Sequence, residues 1–295
     1  MEYVITCISG SDKYKLDGAF AEHMAASLTQ QGFRVHKTAW LTEGMALDIY
    51  IDGTQHTEKK PIKQSNLQPS TFADHVDLII QSAPKPRYRL LISDMDSTMI
   101  TCECIDELAD FVGKKKEVAI ITDRAMNGEL DFAEALTERV ALLAGLPEAT
   151  LQHCFDERVK PMSGAKELLA THKANGGYSV LVSGGFTFFT SRVREMLGFD
   201  EDYSNQLEVV NGKLTGRVIP PILGKEAKLA TLHATCKKLG ITPEETIAIG
   251  DGANDLPMLL AAGLGVAYHA KPTVQAQAHH RINHGDLSSL IHVLA

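Results

Sequence analysis

The chain has 295 residues, 44% of them hydrophobic, which is enough for about two domains with cores that need no metal or disulfide to hold them. Its five cysteines form no C-x-x-C pair, and Cys102 and Cys104 stand too close to bridge within one strand or helix, so reduced thiols in a cytoplasmic protein are expected. A net charge of -8 with no basic block longer than Lys114-Lys115-Lys116 sets nucleic acid aside, and an acidic N-terminus and a longest apolar tract broken by Gly263 and Gly265 predict neither a signal peptide nor a membrane span.

Residues 1 to 84 read as a small α+β module ending in a linker. Tyr3 to Ile8 has the composition of a strand, and Phe20, Met24 and Leu28 recur at helical spacing within Leu16 to Gln31. Phe33 to Trp40 and Met45 to Ile51 predict two more strands. Lys59 to Ser70, polar and holding Pro61 and Pro69, predicts a loop, and Thr71 with Asp74 predicts the cap of a short helix running through Ile80. The run from Gln81 to Arg87, with Pro84 and Pro86, reads as a linker.

From residue 86 onward, β-rich runs alternate with helical stretches. The runs are Tyr88–Ile92, Tyr178–Val182, Thr246–Ile249 and Gly265–Tyr268. Helices are expected over Ala165–Ala174, Phe189–Leu197, Lys225–Leu239 and Leu256–Ala262. This alternation predicts an α/β fold with a parallel sheet covered on both faces. Asn211-Gly212 between apolar residues predicts a hairpin with a type I′ turn. The largely helical stretch from about 101 to 162 is too long for a simple crossover. It predicts a helical cap inserted after the first strand, leaving 86–100 and 163–295 as the core.

Ligands of open parallel sheets sit beyond the C-terminal strand ends. The first strand delivers Asp94 and Asp96, the second Ser183-Gly184-Gly185, and the third Gly250-Asp251-Gly252-Ala253-Asn254-Asp255. Lys225 stands at the start of a helix. Two acids one residue apart suit covalent phosphoryl transfer, one attacking phosphorus while the other moves protons. In that reading Asp94 is the nucleophile and Asp96 the proton shuttle. Ser183 and the Gly184 N–H hold the phosphoryl group, and Lys225 supplies a counter-charge. Asp94 and Asp251, with the Asp96 backbone carbonyl, offer oxygen ligands for Mg²⁺.

These motifs resemble those of the haloacid dehalogenase superfamily, and the resemblance covers residues 86 to 295. Asp94-Met95-Asp96-Ser97-Thr98, Ser183-Gly184-Gly185-Phe186, Lys225 and Gly250-Asp251-Gly252-Ala253-Asn254-Asp255 match its four motifs in order. The resemblance implies Mg²⁺, an aspartyl-phosphate intermediate, a Rossmannoid sheet and a helical cap. Within the cap, Arg139 shares a helical stripe with Phe132, Leu136 and Leu143, which is costly for a cation that lacks a partner. It reads either as a structural salt bridge or as a clamp on a substrate carboxylate. Glu103 reads either as a helix-start acid or as a partner for a substrate ammonium. The resemblance favours substrate contacts for both, with Met126 and Phe132 as apolar neighbours and Asn254 beside the phosphate, and it implies O-phosphoserine as the small-molecule substrate and a place at the end of serine biosynthesis.

The N-terminal module resembles ACT-like regulatory domains through Gly10-Ser11-Asp12-Lys13, although Tyr14-Lys15 replaces the usual Pro-Gly and no final strand is evident. It implies either effector binding or a homodimer. Two other functions fit the sequence: a phosphotransferase that passes the phosphoryl group to a hydroxyl such as that of homoserine, and an amino-acid-sensing binding protein.

Overall fold

The computed structural model describes residues 2–11, 13–52, 75–126 and 129–294, without the side chains of Asp123 and Met126. The expected loop over 59–70, the capping pair Thr71 and Asp74, Asp12 of the N-terminal loop and the side chain of Met126 lie outside the described residues. The chain divides into two compact units, Met1–Leu91 with Ser163–Tyr178 and Cys236–Ala295, and Ile92–Met162 with Ser179–Thr235. All five cysteines are free. Among the described residues no helix is long and apolar enough to cross a membrane.

In the first unit, β1 (Glu2–Ser9), β2 (Arg34–Thr42), β3 (Ala46–Asp52) and β4 (Val76–Ser82) make an antiparallel sheet in the order β2-β3-β1-β4. The helix α1 (Gly18–Gln30) is capped by Asp17, whose carboxylate accepts the Phe20 N–H. Its Phe20, Met24 and Leu28 pack on Ile5, Cys7, Leu47, Ile49 and Ile51 of the sheet, the four-residue spacing of α1 meeting the two-residue spacing of the strands.

Residues 76–82 form a strand, not the helix expected through Ile80. The pattern alternates: Val76, Leu78 and Ile80 face the module core, while Asp77 and Gln81 are buried with hydrogen-bond partners. The Asp77 carboxylate accepts N–H bonds from Asn283 (2.8 Å), His284 (3.1 Å) and Gly285 (2.8 Å), and Gln81 donates to the Tyr88 hydroxyl at 3.0 Å. These buried polar residues, Asp77 held by three N–H groups and Gln81 through its Nε2, disguise the strand in sequence. The module therefore has the final strand that the sequence did not reveal.

The remaining parts of this unit are α6 (Ala165–Ala174) and the run β9 (Thr246–Gly250), α9 (Leu256–Ala261), β10 (Leu264–Tyr268), α10 (Pro272–Gln275), β11 (His280–Ile282) and α11 (Ile291–Leu294). β9, β10 and β11 are parallel neighbours.

The second unit holds the cap and the hairpin. The cap helices are α2 (Cys104–Phe111), α3 (Lys115–Met126), α4 (Phe132–Ala141) and α5 (Ala149–Arg158). Asp131 and Glu134 form the expected capping box at the start of α4. β6 (Tyr178–Phe186), α7 (Thr187–Leu197), β7 (Glu201–Val210) and β8 (Lys213–Ile219) follow, and then α8 (Lys225–Leu239) begins. β7 and β8 pair antiparallel around Asn211 and Gly212, whose φ angles of 51° and 71° are those of a type I′ turn. β5 (Leu90–Ser93) precedes the cap, and β6 pairs parallel with β7. This is the α/β architecture expected, with β11 an edge strand too short to be seen in sequence.

Candidate active site

Asp94 follows β5 directly and is buried. Its Oδ1 accepts the Met95 N–H at 2.8 Å and lies 2.8 Å from Lys228 Nζ. The chain then turns at once: the Thr98 and Met99 N–H groups donate back to the Met95 carbonyl, and Ser97 takes a left-handed φ of 57°. The turn returns Asp96 toward α2, where its Oδ1 accepts the Cys104 N–H at 3.2 Å. Burial, and then the nearby charge of Glu103, push the Asp96 carboxyl up to about 7, while the Cys104 hydrogen bond and Lys228 pull the other way. Asp94 is thus paired with a lysine, whereas Asp96 is buried beside another acid that raises its proton affinity.

Ser183 stands at the end of β6, where the register with β7 jumps from Val182↔Tyr203 to Phe186↔Asn205. Three residues of β6 oppose one of β7 between these pairs, so Ser183-Gly184-Gly185 bows out of the ladder. The Ser183 hydroxyl oxygen accepts the Gly185 N–H at 2.8 Å. A Cβ at Gly185 would lie 3.0 Å from both Asp96 Oδ2 and Ser183 Oγ, so this bulge lies against Asp96. A Cβ at Gly184 would meet Phe132 Cζ at 2.8 Å, and one at Gly224 would meet Phe132 Cδ1 at 3.2 Å. Phe132, the first residue of α4, therefore covers the glycine loops, and any side chain there would displace it.

The cation expected at Lys225 is found three residues further along α8. Lys225 has a side chain 61% exposed and reaches Glu226 at 3.8 Å, whereas Lys228 is 2% exposed and sits on Asp94. One helical turn decides the matter, because Lys228 lies on the inward face of α8 and Lys225 does not. Sequence spacing pointed to the helix but not to the residue.

Arg139 is half-buried on α4, and its Nε donates to the Ala135 carbonyl at 3.3 Å. Burial lowers the proton affinity of the guanidinium, and the charges of Asp106, Glu103 and Asp96 oppose that shift. The cap arginine therefore faces the acids around Asp96. Glu103, at the start of α2, gives no side-chain cap to its helix and instead accepts the Ser97 hydroxyl at 2.7 Å.

After β9, Asp255 is fully buried and its Oδ2 accepts the Gly252 N–H at 3.0 Å, closing the Gly250–Asp255 loop on itself. A Cβ at Gly252 would lie 2.3 Å from Asn254 Oδ1 and 3.5 Å from Asp255 Oδ2, so the turn leaves no room for a side chain there. The expected metal ligands Asp94 and Asp251 are carboxylates, as is Asp255 at the end of the same loop as Asp251. A set of three carboxylates with no nitrogen or sulfur suits a hard, oxygen-seeking cation such as Mg²⁺ and not zinc.

Residues 91–260 match the haloacid dehalogenase-like hydrolase family. This chain belongs to the haloacid dehalogenase-like hydrolases. It is 49% identical over 212 residues to a phosphoserine phosphatase of Polaromonas sp. (strain JS666), a match covering 70% of this chain and 90% of the relative. Among solved structures it is similar to a family hydrolase of Salmonella enterica serovar Typhi, with a TM-score of 0.82, 30% identity, and coverage of 99% of this chain and 98% of that one. It is also similar to an unliganded probable phosphoserine phosphatase of Vibrio cholerae, with a TM-score of 0.78, 34% identity, and coverage of 99% and 86%. The last two matches span the N-terminal module as well as the family's catalytic fold.

Proposed function

We propose that this haloacid dehalogenase-like hydrolase is a Mg²⁺-dependent phosphatase that converts O-phospho-L-serine to L-serine and phosphate through an aspartyl phosphate on Asp94. The observation that carries the reading is the placement of two unlike carboxyls on one turn, Asp94 against Lys228 and Asp96 buried beside Glu103 with a proton affinity near neutrality. Nucleophile and proton shuttle need that difference. The names of the relatives in Polaromonas and Vibrio cholerae support the substrate.

Asp94 attacks phosphorus while Lys228 balances charge on the attacking carboxylate. Asp96 gives its proton to the leaving serine oxygen and later takes one from the water that hydrolyses the intermediate. Ser183 and the Gly184 N–H bind the phosphoryl oxygens. Mg²⁺, for which the motif carboxylates Asp94 and Asp251 are the expected ligands, would when bound supply positive charge where the phosphoryl group and the carboxylates otherwise repel. In the cap, Arg139 takes the substrate carboxylate and Glu103 its ammonium, with Phe132 closing over both. Residues 86–295 supply this chemistry, and the module over 1–84 serves regulation or dimerisation.

The test is phosphate release by the purified full chain over a panel of phosphomonoesters. O-phospho-L-serine should be hydrolysed far faster than phosphothreonine, sugar phosphates or 3-phosphoglycerate. Equal rates across the panel would sink the substrate assignment.

A further inference from the structure

Asn205 lies on β7 opposite Phe186, at the point where the register of β6 breaks. It is 1% exposed, and three hydrogen bonds occupy its amide. Its Nδ2 donates to the Gly184 carbonyl at 2.9 Å and to the Leu223 carbonyl at 3.2 Å, and its Oδ1 accepts the Leu223 N–H at 2.7 Å. The Leu223 N–H fixes which end of the amide is oxygen, so the donor must face Gly184.

The Gly184 carbonyl and the Gly185 N–H belong to one planar trans peptide and point in opposite directions. On the far side of that peptide, Gly185 N–H donates to Ser183 Oγ at 2.8 Å. A chain of two hydrogen bonds therefore runs from Asn205 through the peptide plane to the Ser183 hydroxyl. With its oxygen engaged as an acceptor, Ser183 has its own proton directed elsewhere. The same amide pins Leu223, two residues ahead of α8 and five ahead of Lys228.

We infer that Asn205 is a positioning residue for phosphoryl transfer: it sets the peptide that aims the Ser183 hydroxyl, and it locks that bulge to the segment leading into the Lys228 helix. The inference rests on the reading of Ser183 as a phosphoryl-binding hydroxyl. A purely structural amide would stabilise the strand equally well whatever stood at position 183.

The test is a double-mutant cycle on the full chain, with kcat and KM measured for O-phospho-L-serine and for an aryl phosphate, and thermal unfolding followed in parallel. Asn205→Asp keeps the shape and the acceptor for Leu223 but turns an oxygen toward two carbonyls. It should lower kcat by about 10- to 100-fold with little change in KM. In a Ser183→Ala background the same change should cost less than about threefold, because the group it positions is gone. Multiplicative losses in the two backgrounds, or an unchanged kcat in Asn205→Asp, would overturn the inference. If Asn205→Asp does not fold, Asn205→Thr, which suits a strand and removes both Nδ2 donors, is read through the same cycle. A wild-type chain that turns over the aryl phosphate but not phosphoserine would refute the proposed substrate and leave the cycle readable.

Discussion

Lys228 Nζ lies 2.8 Å from Asp94 Oδ1, with the lysine 2% exposed and the aspartate nearly as buried. This contact places a cation directly on the carboxylate proposed to attack phosphorus. Removing the lysine takes this contact away, so Lys228→Met should lower kcat for phosphoserine by about 10²- to 10³-fold. Lys225→Met should stay within about twofold of wild type, as expected for an exposed lysine near an exposed glutamate. Steady-state kinetics of the two variants decides between them, and the reverse ranking would restore Lys225 as the catalytic cation.

The contact of Phe132 with Gly184 gives a steric prediction. Gly184→Ala places a methyl 2.8 Å from Phe132 Cζ, closer than carbon atoms pack. The phenyl ring must move, and kcat/KM should fall by roughly tenfold or more. Phe132→Ala in the same chain should recover part of the loss, a non-additivity expected of neighbours. Strictly additive effects would show that the ring does not cover the loop in solution.

Which parts of this arrangement were legible in sequence follows from how local each signal is. The strand-end motifs were readable because a β-run followed by Asp94-Met95-Asp96 or Gly250-Asp251-Gly252 is contiguous. The Asn211-Gly212 turn and the Asp131/Glu134 box are local backbone chemistry of the same kind. β4 was missed because Asp77 and Gln81 interrupt its apolar run, and their partners, at 283–285 and Tyr88, are not adjacent in sequence. Lys228 was missed because choosing between lysines one turn apart needs the face of α8 that packs inward. Asn205 carries no sequence signal, since its role depends on a register jump between two strands.

The cap arginine makes a prediction about selectivity. If Arg139 clamps the substrate carboxylate, Arg139→Ala should cost roughly 10²-fold or more in kcat/KM on phosphoserine. It should change turnover of phosphoethanolamine, which lacks that carboxylate, by only a few fold. Kinetics on this pair of substrates tests the assignment, and equal losses on both would make Arg139 a structural residue of α4.

A stability prediction comes from His280. The ring is buried on β11, and its Nε2 donates to the Ile80 carbonyl of β4 at 2.9 Å. Burial lowers its pKa to about 4 from an ordinary value of 6.5, and neighbouring His279 acts in the same direction. The unfolded chain thus binds a proton that the folded chain refuses between pH 6.5 and 4. The contribution is fully present above 6.5 and is lost as pH falls through that window, amounting to a few kcal/mol. Urea unfolding at several pH values should show stability dropping over this range in wild type and dropping less in His280→Gln. Parallel pH dependence in the two proteins would contradict it.

The most direct test of the central claim is phosphate release from O-phospho-L-serine by wild type and Asp94→Asn, each with Mg²⁺ and with excess chelator. Rapid Mg²⁺-dependent release by wild type, abolished by chelator and by Asp94→Asn in a chain that still unfolds cooperatively, is the predicted result. Undiminished release by Asp94→Asn, with conversion back to aspartate excluded, would contradict the account.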